Sequence, residues 1–281
     1  MSVTPQMIKE LRERTGVGMA KCKAALDEAG GDIEKAIENL RKAGMASAVK
    51  REGREAKEGL IGIGEGDKAV AFVEVNSETD FVAQNDKFKA FLKEAAEIAA
   101  QTGCDSLETL LAAKSTSDPS LTIDELRALT VQRLGENIQI KRIHLMPKAS
   151  ERSIGVYSHM GGKIITAVEL GGGSGNEALA RDIAMHIAAD APEYLKPDDV
   201  PPAKVETEKE IARTQIKNKP ENIIDKIIEG KLKAYYDQVC LICQKYVKDN
   251  SITIEQLLEK ESKAADATLS ISSFLRWQVG E

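Results

Sequence analysis

The sequence predicts an α+β fold, and three observations carry the prediction. Residues 4–43 place their apolar side chains only at helical spacing, the rest repeats once as strand–strand–helix–helix–strand, and two proline-bounded helical patterns interrupt the second copy. The expected architecture is an N-terminal three-helix bundle, two duplicated α/β subdomains with three-stranded antiparallel sheets, and an inserted antiparallel helical hairpin. Its boundaries are expected at 1–55 for the bundle, 56–145 for the first subdomain, 146–191 with 247–281 for the second, and 192–246 for the hairpin.

The bundle comes first. Ile8 and Leu11 share one face of a first helix, and Thr15-Gly16-Val17-Gly18 ends it, because glycine takes the positive φ of a helix end without steric cost. Met19, Cys22, Lys23 and Leu26 continue the spacing as far as Gly30-Gly31. Asp32 then stands at an N-cap position ahead of Ile33, Ala36, Ile37 and Leu40, where its carboxylate can accept a free first-turn amide. Residues 44–58 (GMASAVKREGREAKE) are dense in charge and glycine, with Lys50, Arg51 and Arg54 close together, and are expected to be a solvated linker.

Residues 59–64 and 69–76 then flank the turn Glu65-Gly66-Asp67-Lys68 as a β-hairpin. An Ala-rich helix follows over 86–101. A second covers 122–134, where Thr122 with Glu125 three residues on makes a capping box. Gly135 stops it, and 137–145 alternates Ile138, Ile140 and Ile143 as a third strand. The second copy offers strands at 153–159 and 163–170, a helix at 176–190 and a closing strand at 272–279. Its second helix opens with Thr253–Leu257 (TIEQL), an echo of Thr122–Leu126 (TIDEL). In between, Pro192, Pro197, Pro201, Pro202 and Pro220 bound two helical legs. Ile211 and Ile216 mark the first leg, and Ile223, Ile224, Ile227, Ile228 and Leu232 the second. Their apolar stripe is free to bury against the body or against a second copy.

The duplication is explicit in the residues. GLIGIGEGDKAVAFVEV (59–75) recurs 95 positions on as IGVYSHMGGKIITAVEL (154–170), placing Gly66 on Gly161, Lys68 on Lys163 and Glu74 on Glu169. EIAA (97–100) meets HIAA (186–189) at a shift of only 89, so the first copy is six residues longer between strand and helix. The addition is Thr79–Gln84 (TDFVAQ), which sets Asp80 beside Phe81 at the mouth of a helix. A loop elaborated on one copy of a repeat is where function concentrates. The residues leave two readings open. Either Thr79 or Asp80 caps the next helix while Phe81 covers the core, or the aromatic is a rigid wedge for a partner.

Composition narrows the partners. With 39 basic against 45 acidic residues and a net charge of −6, no basic stripe for direct nucleic-acid binding is expected, and 4% aromatic content gives no stacking platform. No run is apolar enough for a membrane span, no signal peptide is evident, and four cysteines lie scattered, so a reduced, cytoplasmic protein is expected. Gly171-Gly172-Gly173-Ser174-Gly175 joins a strand to a helix but lacks the Lys-Ser/Thr pair of a phosphate loop, and reads as a flexible shortcut. Cys240 and Cys243 make a lone C-x-x-C without nearby zinc ligands and read as buried or half-buried thiols. His186 falls on an Ala/Ile helix face as a packed histidine, and His159 falls at a hairpin turn, exposed. With His144 they are too dispersed for a Ser/His/Asp or Cys/His site, so neither a catalytic residue nor a cofactor is expected.

One resemblance covers nearly the whole chain. IKELRERTGVGMAKCKAAL (8–26), GGDIEKAIENLRKAG (30–44), VEVNSETDFVA (73–83), GENIQIKR (135–142) and IAMHIAA (183–189) are similar to the bacterial elongation factor Ts family, nucleotide-exchange factors for elongation factor Tu. The resemblance implies a ubiquitin-associated-like bundle, a core of two related α/β subdomains, and a helical hairpin that some members use to form a homodimer. It also implies guanine nucleotide exchange on the GTPase elongation factor Tu without enzymatic catalysis. Thr79, Asp80, Phe81 and Val82 would be the partner-binding residues, with Asp80 and Phe81 pushing in near the partner's magnesium. Leu134, Gly135 and His159 would make secondary contacts, and the bundle would grip the nucleotide-binding domain of the GTPase. Many members continue past the final strand into a C-terminal helical module, so contacts through that module are not expected. The rival readings are a non-exchange adaptor built on the bundle, and a small-molecule enzyme using the loop at 171–175.

Overall fold

The structure, a computed structural model, describes residues 3–215 and 220–281. It is α+β, and it divides into two units. One holds the residues up to 148 with 161–163 and 278–281, and the other holds 149–160 with 164–277.

In the first unit, α1 (Pro5–Thr15) opens under the Thr4 hydroxyl, which accepts from the Met7 amide at 3.3 Å, and ends at Gly16 with φ 65°. α2 (Met19–Glu28) and α3 (Ile33–Arg51) close the bundle around Leu11, Cys22, Leu26, Ala36 and Leu40. Asp32 caps α3, its Oδ1 accepting from the Lys35 amide at 3.1 Å. The expected linker is corrected in its first half. α3 runs on through 44–51, with Gly44 and Ala48 buried against α7 (Ile123–Leu134). Two small residues four apart make a flat helix face that a neighbouring helix can approach. The charges that suggested solvent sit outside that face, and Lys50 and Arg51 oppose the negative end of the helix dipole. Only 52–57 remains outside regular structure.

β1 (Glu58–Glu65), β2 (Ala69–Ser77) and β3 (Ile138–Pro147) form an antiparallel sheet in that order. α5 (Asp86–Thr102) lies so close that a Cβ on Gly64 would sit 1.9 Å from Ala96 O, which only glycine avoids. Val73, Val75, Phe88, Phe91, Ala95 and Ile98 fill the layer between. Two short helices, α4 (Asp80–Ala83) and α6 (Leu107–Ala112), escape the sequence reading, being too short to show a 3.6-residue period.

In the second unit, β4 (Arg152–His159) pairs antiparallel with β5 (Ile164–Gly171), and β8 (Ser270–Gln278) flanks β5 on its other side. α8 (Glu177–Asp190) covers β4 and β5. α11 (Ile254–Ala265) begins with a Thr253–Gln256 capping box, as α7 begins with Thr122–Glu125, so the TIDEL and TIEQL segments share local structure as well as letters.

The inserted hairpin is α9 (Pro202–Thr214) and α10 (Glu221–Val239), whose legs meet where Lys231 Nζ donates to Gln215 Oε1. Ile211 and Ile223 are exposed on it, and Ile216, assigned to the first leg by spacing, lies outside the described residues. A small ribbon at its root, β6 (Lys245–Tyr246) with β7 (Asp249–Thr253), is absent from the sequence reading. Gln244 ties the root together. Its Nε2 donates to Asp190 O at 3.3 Å and Gln238 O at 2.7 Å, which leaves Oε1 to accept from His186 Nε2 at 3.0 Å. His186 is thus the buried, hydrogen-bonded histidine its helix face predicts. Among the described residues, no helix is long and apolar enough to cross a membrane.

Candidate functional site

The six added residues fold as one helical turn at the exit of β2. Thr79 has extended backbone (φ −127°, ψ 156°), and its hydroxyl accepts from the Val82 amide at 3.4 Å, capping α4. Gln84 N–H closes the turn on Asp80 O at 3.0 Å, and Asn85 then caps α5 through the Lys87 amide at 2.9 Å. The turn has an inner and an outer side. Ala83 is fully buried and Val82 packs on the core, whereas Asp80 and Phe81 face water. Phe81 is 85% exposed, so one of the two open readings divides: Thr79 does cap a helix, but Phe81 does not cover the core.

What holds the turn comes from a distant segment. Glu136, just past α7, accepts from Thr79 twice: from the amide at Oε2 (3.0 Å) and from the hydroxyl at Oε1 (2.6 Å). The reciprocal bond runs the other way, the Asn137 amide donating to Glu78 Oε1 at 2.7 Å. Arg54 Nη1 also reaches Glu78 at 3.4 Å, and Asn137 Nδ2 donates to Arg54 O at 2.8 Å. Two acids and two backbone amides therefore cross-tie the exits of β2 and α7, and hydrogen bonds to carboxylates are the stronger kind. Leu134 and Gly135 come next to the turn by this tie. Leu134 is half-buried against the core, and Gly135, the αL end of α7 at φ 84°, accepts from Arg51 Nε at 3.2 Å. Among the described residues, nothing hydrogen-bonds to the Asp80 carboxylate, which leaves its charge to water.

His159 belongs to the other unit and is not part of this cluster. It is exposed at the end of β4 with its ring stacked on Tyr157 at 6.0 Å, beside exposed Met160 and a shallow cavity of about 260 Å³ lined by Tyr157, Met185 and Val247. The glycine-rich loop of the same unit is the short connection from β5 to α8, and it is hydrogen-bonded to its neighbours. Gly173 N–H donates to Glu151 O (3.2 Å), Gly175 N–H to Glu177 Oε1 (3.3 Å) and Asn176 N–H to Ser153 Oγ (2.9 Å), so three of the amides of this segment are engaged within the fold. Cys240 is buried and Cys243 half-buried, both free, and burial pushes the Cys240 thiol up to about 12. No group of three or more metal-ligating side chains occurs among the described residues.

Residues 78–281 match the family model described as Elongation factor TS. The chain is 57% identical over 280 residues to an elongation factor Ts of Protochlamydia amoebophila, covering 100% of this chain and 99% of that one. It is 45% identical over 275 residues to an elongation factor Ts of Chlamydia caviae, with 98% of each chain covered. The chain belongs to the elongation factor Ts family. Membership makes it an elongation factor of protein synthesis, and the family match opens at Glu78, the first residue of the cross-tie. Glu78 and Glu136 are the site residues the sequence reading passes over. Both lie inside segments that carry the family resemblance (VNSETDFVA and GENIQIKR), but their pairing is visible only once the two segments meet.

Proposed function

We propose that this chain is a guanine nucleotide exchange factor that releases GDP from elongation factor Tu by protein contact. The observation that carries the reading is Phe81, an aromatic held in water on a turn whose other side is anchored to the core and to Glu136. A rigid, exposed aromatic costs little entropy to insert into a partner. Phe81 wedges apart the elements that position the partner's magnesium, and Asp80, free of partners among the described residues, perturbs the charge balance there. Losing the cation removes the main counter-charge to the phosphates, so GDP leaves faster. By linkage, a factor that binds the nucleotide-free GTPase more tightly weakens GDP by the same ratio.

Thr79 and Val82 support the wedge, Leu134 and Gly135 flank it, and His159 with its stacked Tyr157 makes a separate contact. The bundle grips the nucleotide-binding domain. Exposed Ile211 and Ile223 on the hairpin legs suit self-association, which sedimentation of the free chain reads directly. The test of the wedge is GDP release from elongation factor Tu with Phe81→Ala. Loss of an interface anchor should slow stimulated release by about tenfold or more. Unchanged release rejects the wedge, and wild-type binding without any release would make the chain an adaptor.

A further inference from the structure

We infer that Glu136 is the positioning residue of the exchange site: it acts through Thr79 to hold Phe81 at the height and direction that displacement requires. This rests on the wedge reading of Phe81 and names what makes the wedge stiff. A four-residue helix has no stability of its own, since a single turn fixes several dihedrals for one hydrogen bond. Something outside must supply it. Val82 and Ala83 pin the inner side of the turn by packing, and backbone bonds from Gln84 to Asp80 and from Asn85 to Val82 fix its far end, which leaves Thr79 as the end to be held. Thr79 is the hinge of the turn, because its backbone is extended and the next residue is helical. Glu136 grips this hinge at two atoms, amide and hydroxyl, so both the backbone and the χ1 angle of Thr79 are set, and with them the cap on Val82.

The grip is itself braced. Ser77 Oγ donates to Thr79 O at 2.9 Å, Glu78 takes the Asn137 amide, and Arg51 from the end of α3 takes Gly135 O. Three segments thus converge on the turn: the end of α3 with 52–54, the exit of β2, and the exit of α7. Glutamine at 136 would keep the size but remove the charge: its oxygen can still accept from the Thr79 amide, while its NH2 pairs with the Thr79 hydroxyl only if that hydroxyl turns from donor to acceptor, so the charge-assisted grip on both atoms is lost. Aspartate would keep the charge but fall short by one methylene.

The experiment is a double-mutant cycle on stimulated GDP release from elongation factor Tu, using the full chain as wild type, Glu136→Gln, Phe81→Ala and the double variant. A displaced wedge should lower the maximal release rate about tenfold in Glu136→Gln while shifting the half-saturating concentration of the factor by less than about twofold. Glu136→Gln should add nothing once Phe81 is alanine. Glu136→Asp, too short to reach both Thr79 donors, should also lower the maximal release rate, and serves in its place should the Gln chain fail to fold. A Glu136→Gln chain with wild-type release overturns the inference, as does one whose loss is the same with and without Phe81. If Phe81→Ala alone leaves release untouched, it is the wedge reading that fails, and the positioning role falls with it.

Discussion

Phe72 and Phe88 are fully buried while Phe81 stands 85% exposed, and this contrast at one residue separates folding from function. Among the described residues the Phe81 ring is largely in water, so Phe81→Ala should leave the unfolding free energy in urea within about 0.5 kcal/mol of wild type. The same variant should lose exchange. A matched loss of stability and release would mean the ring has a structural role instead. The sequence shows the Asp80–Phe81 pair as an asymmetry of the repeat, but not which way the ring points, because a single turn has no periodicity from which to read a face. Glu136 was invisible for another reason. Its bonds to Thr79 span 57 positions, and a carboxylate after a helix-ending glycine reads as ordinary surface until the chain brings its acceptors to those donors.

At the scale of the element, α3 is where composition misled. Charge and glycine over 44–58 resemble a linker, yet through Arg51 they alternate around a helix whose small side faces α7. A Cβ at position 44 would meet Ala128 O at 3.5 Å, an ordinary contact distance, and the glycine costs helix stability. Gly44→Ala should therefore stabilise the chain by about 0.5–1 kcal/mol in urea unfolding. Gly44→Leu should cost about 1–3 kcal/mol, since the larger side chain has no room between the helices. Destabilisation by alanine would show that the two helices pack more tightly than their backbone spacing indicates. Elsewhere the elements were legible wherever caps or alternation were strong. The hairpin turn at Gly66, the Thr122 and Thr253 capping boxes and the Asp32 N-cap all stand where their residue types demand.

Over the whole molecule the duplication organises both units, down to a buried carboxylate at the same strand position. Glu74 accepts from Arg142 at 2.7 Å and Glu169 from Arg152 at 2.7 Å. Near neutral pH, by contrast, two histidines contribute to how stability depends on pH. Burial holds His186 below its ordinary 6.5, against the raising pull of Gln244 and Asp190, and burial lowers His144 as well. The unfolded chain therefore takes up these protons at a higher pH than the folded one. Their contribution is complete above about pH 6.5 and is lost as pH falls through the folded values. The urea midpoint should fall between about pH 7 and about pH 5.5, and less steeply in His186→Gln. An identical slope in that variant would move the effect to other groups. One consequence of the exposed aromatic reaches beyond exchange. A phenylalanine side chain in water carries a solvation penalty of about 2 kcal/mol at every unbound moment, relieved by whichever apolar surface covers it first. Such a residue is adhesive by nature, and at high concentration the first surface it meets is another copy. Asp80 beside it and a net charge of −6 on every chain oppose that encounter, keeping the sticky point available without letting the solution clump.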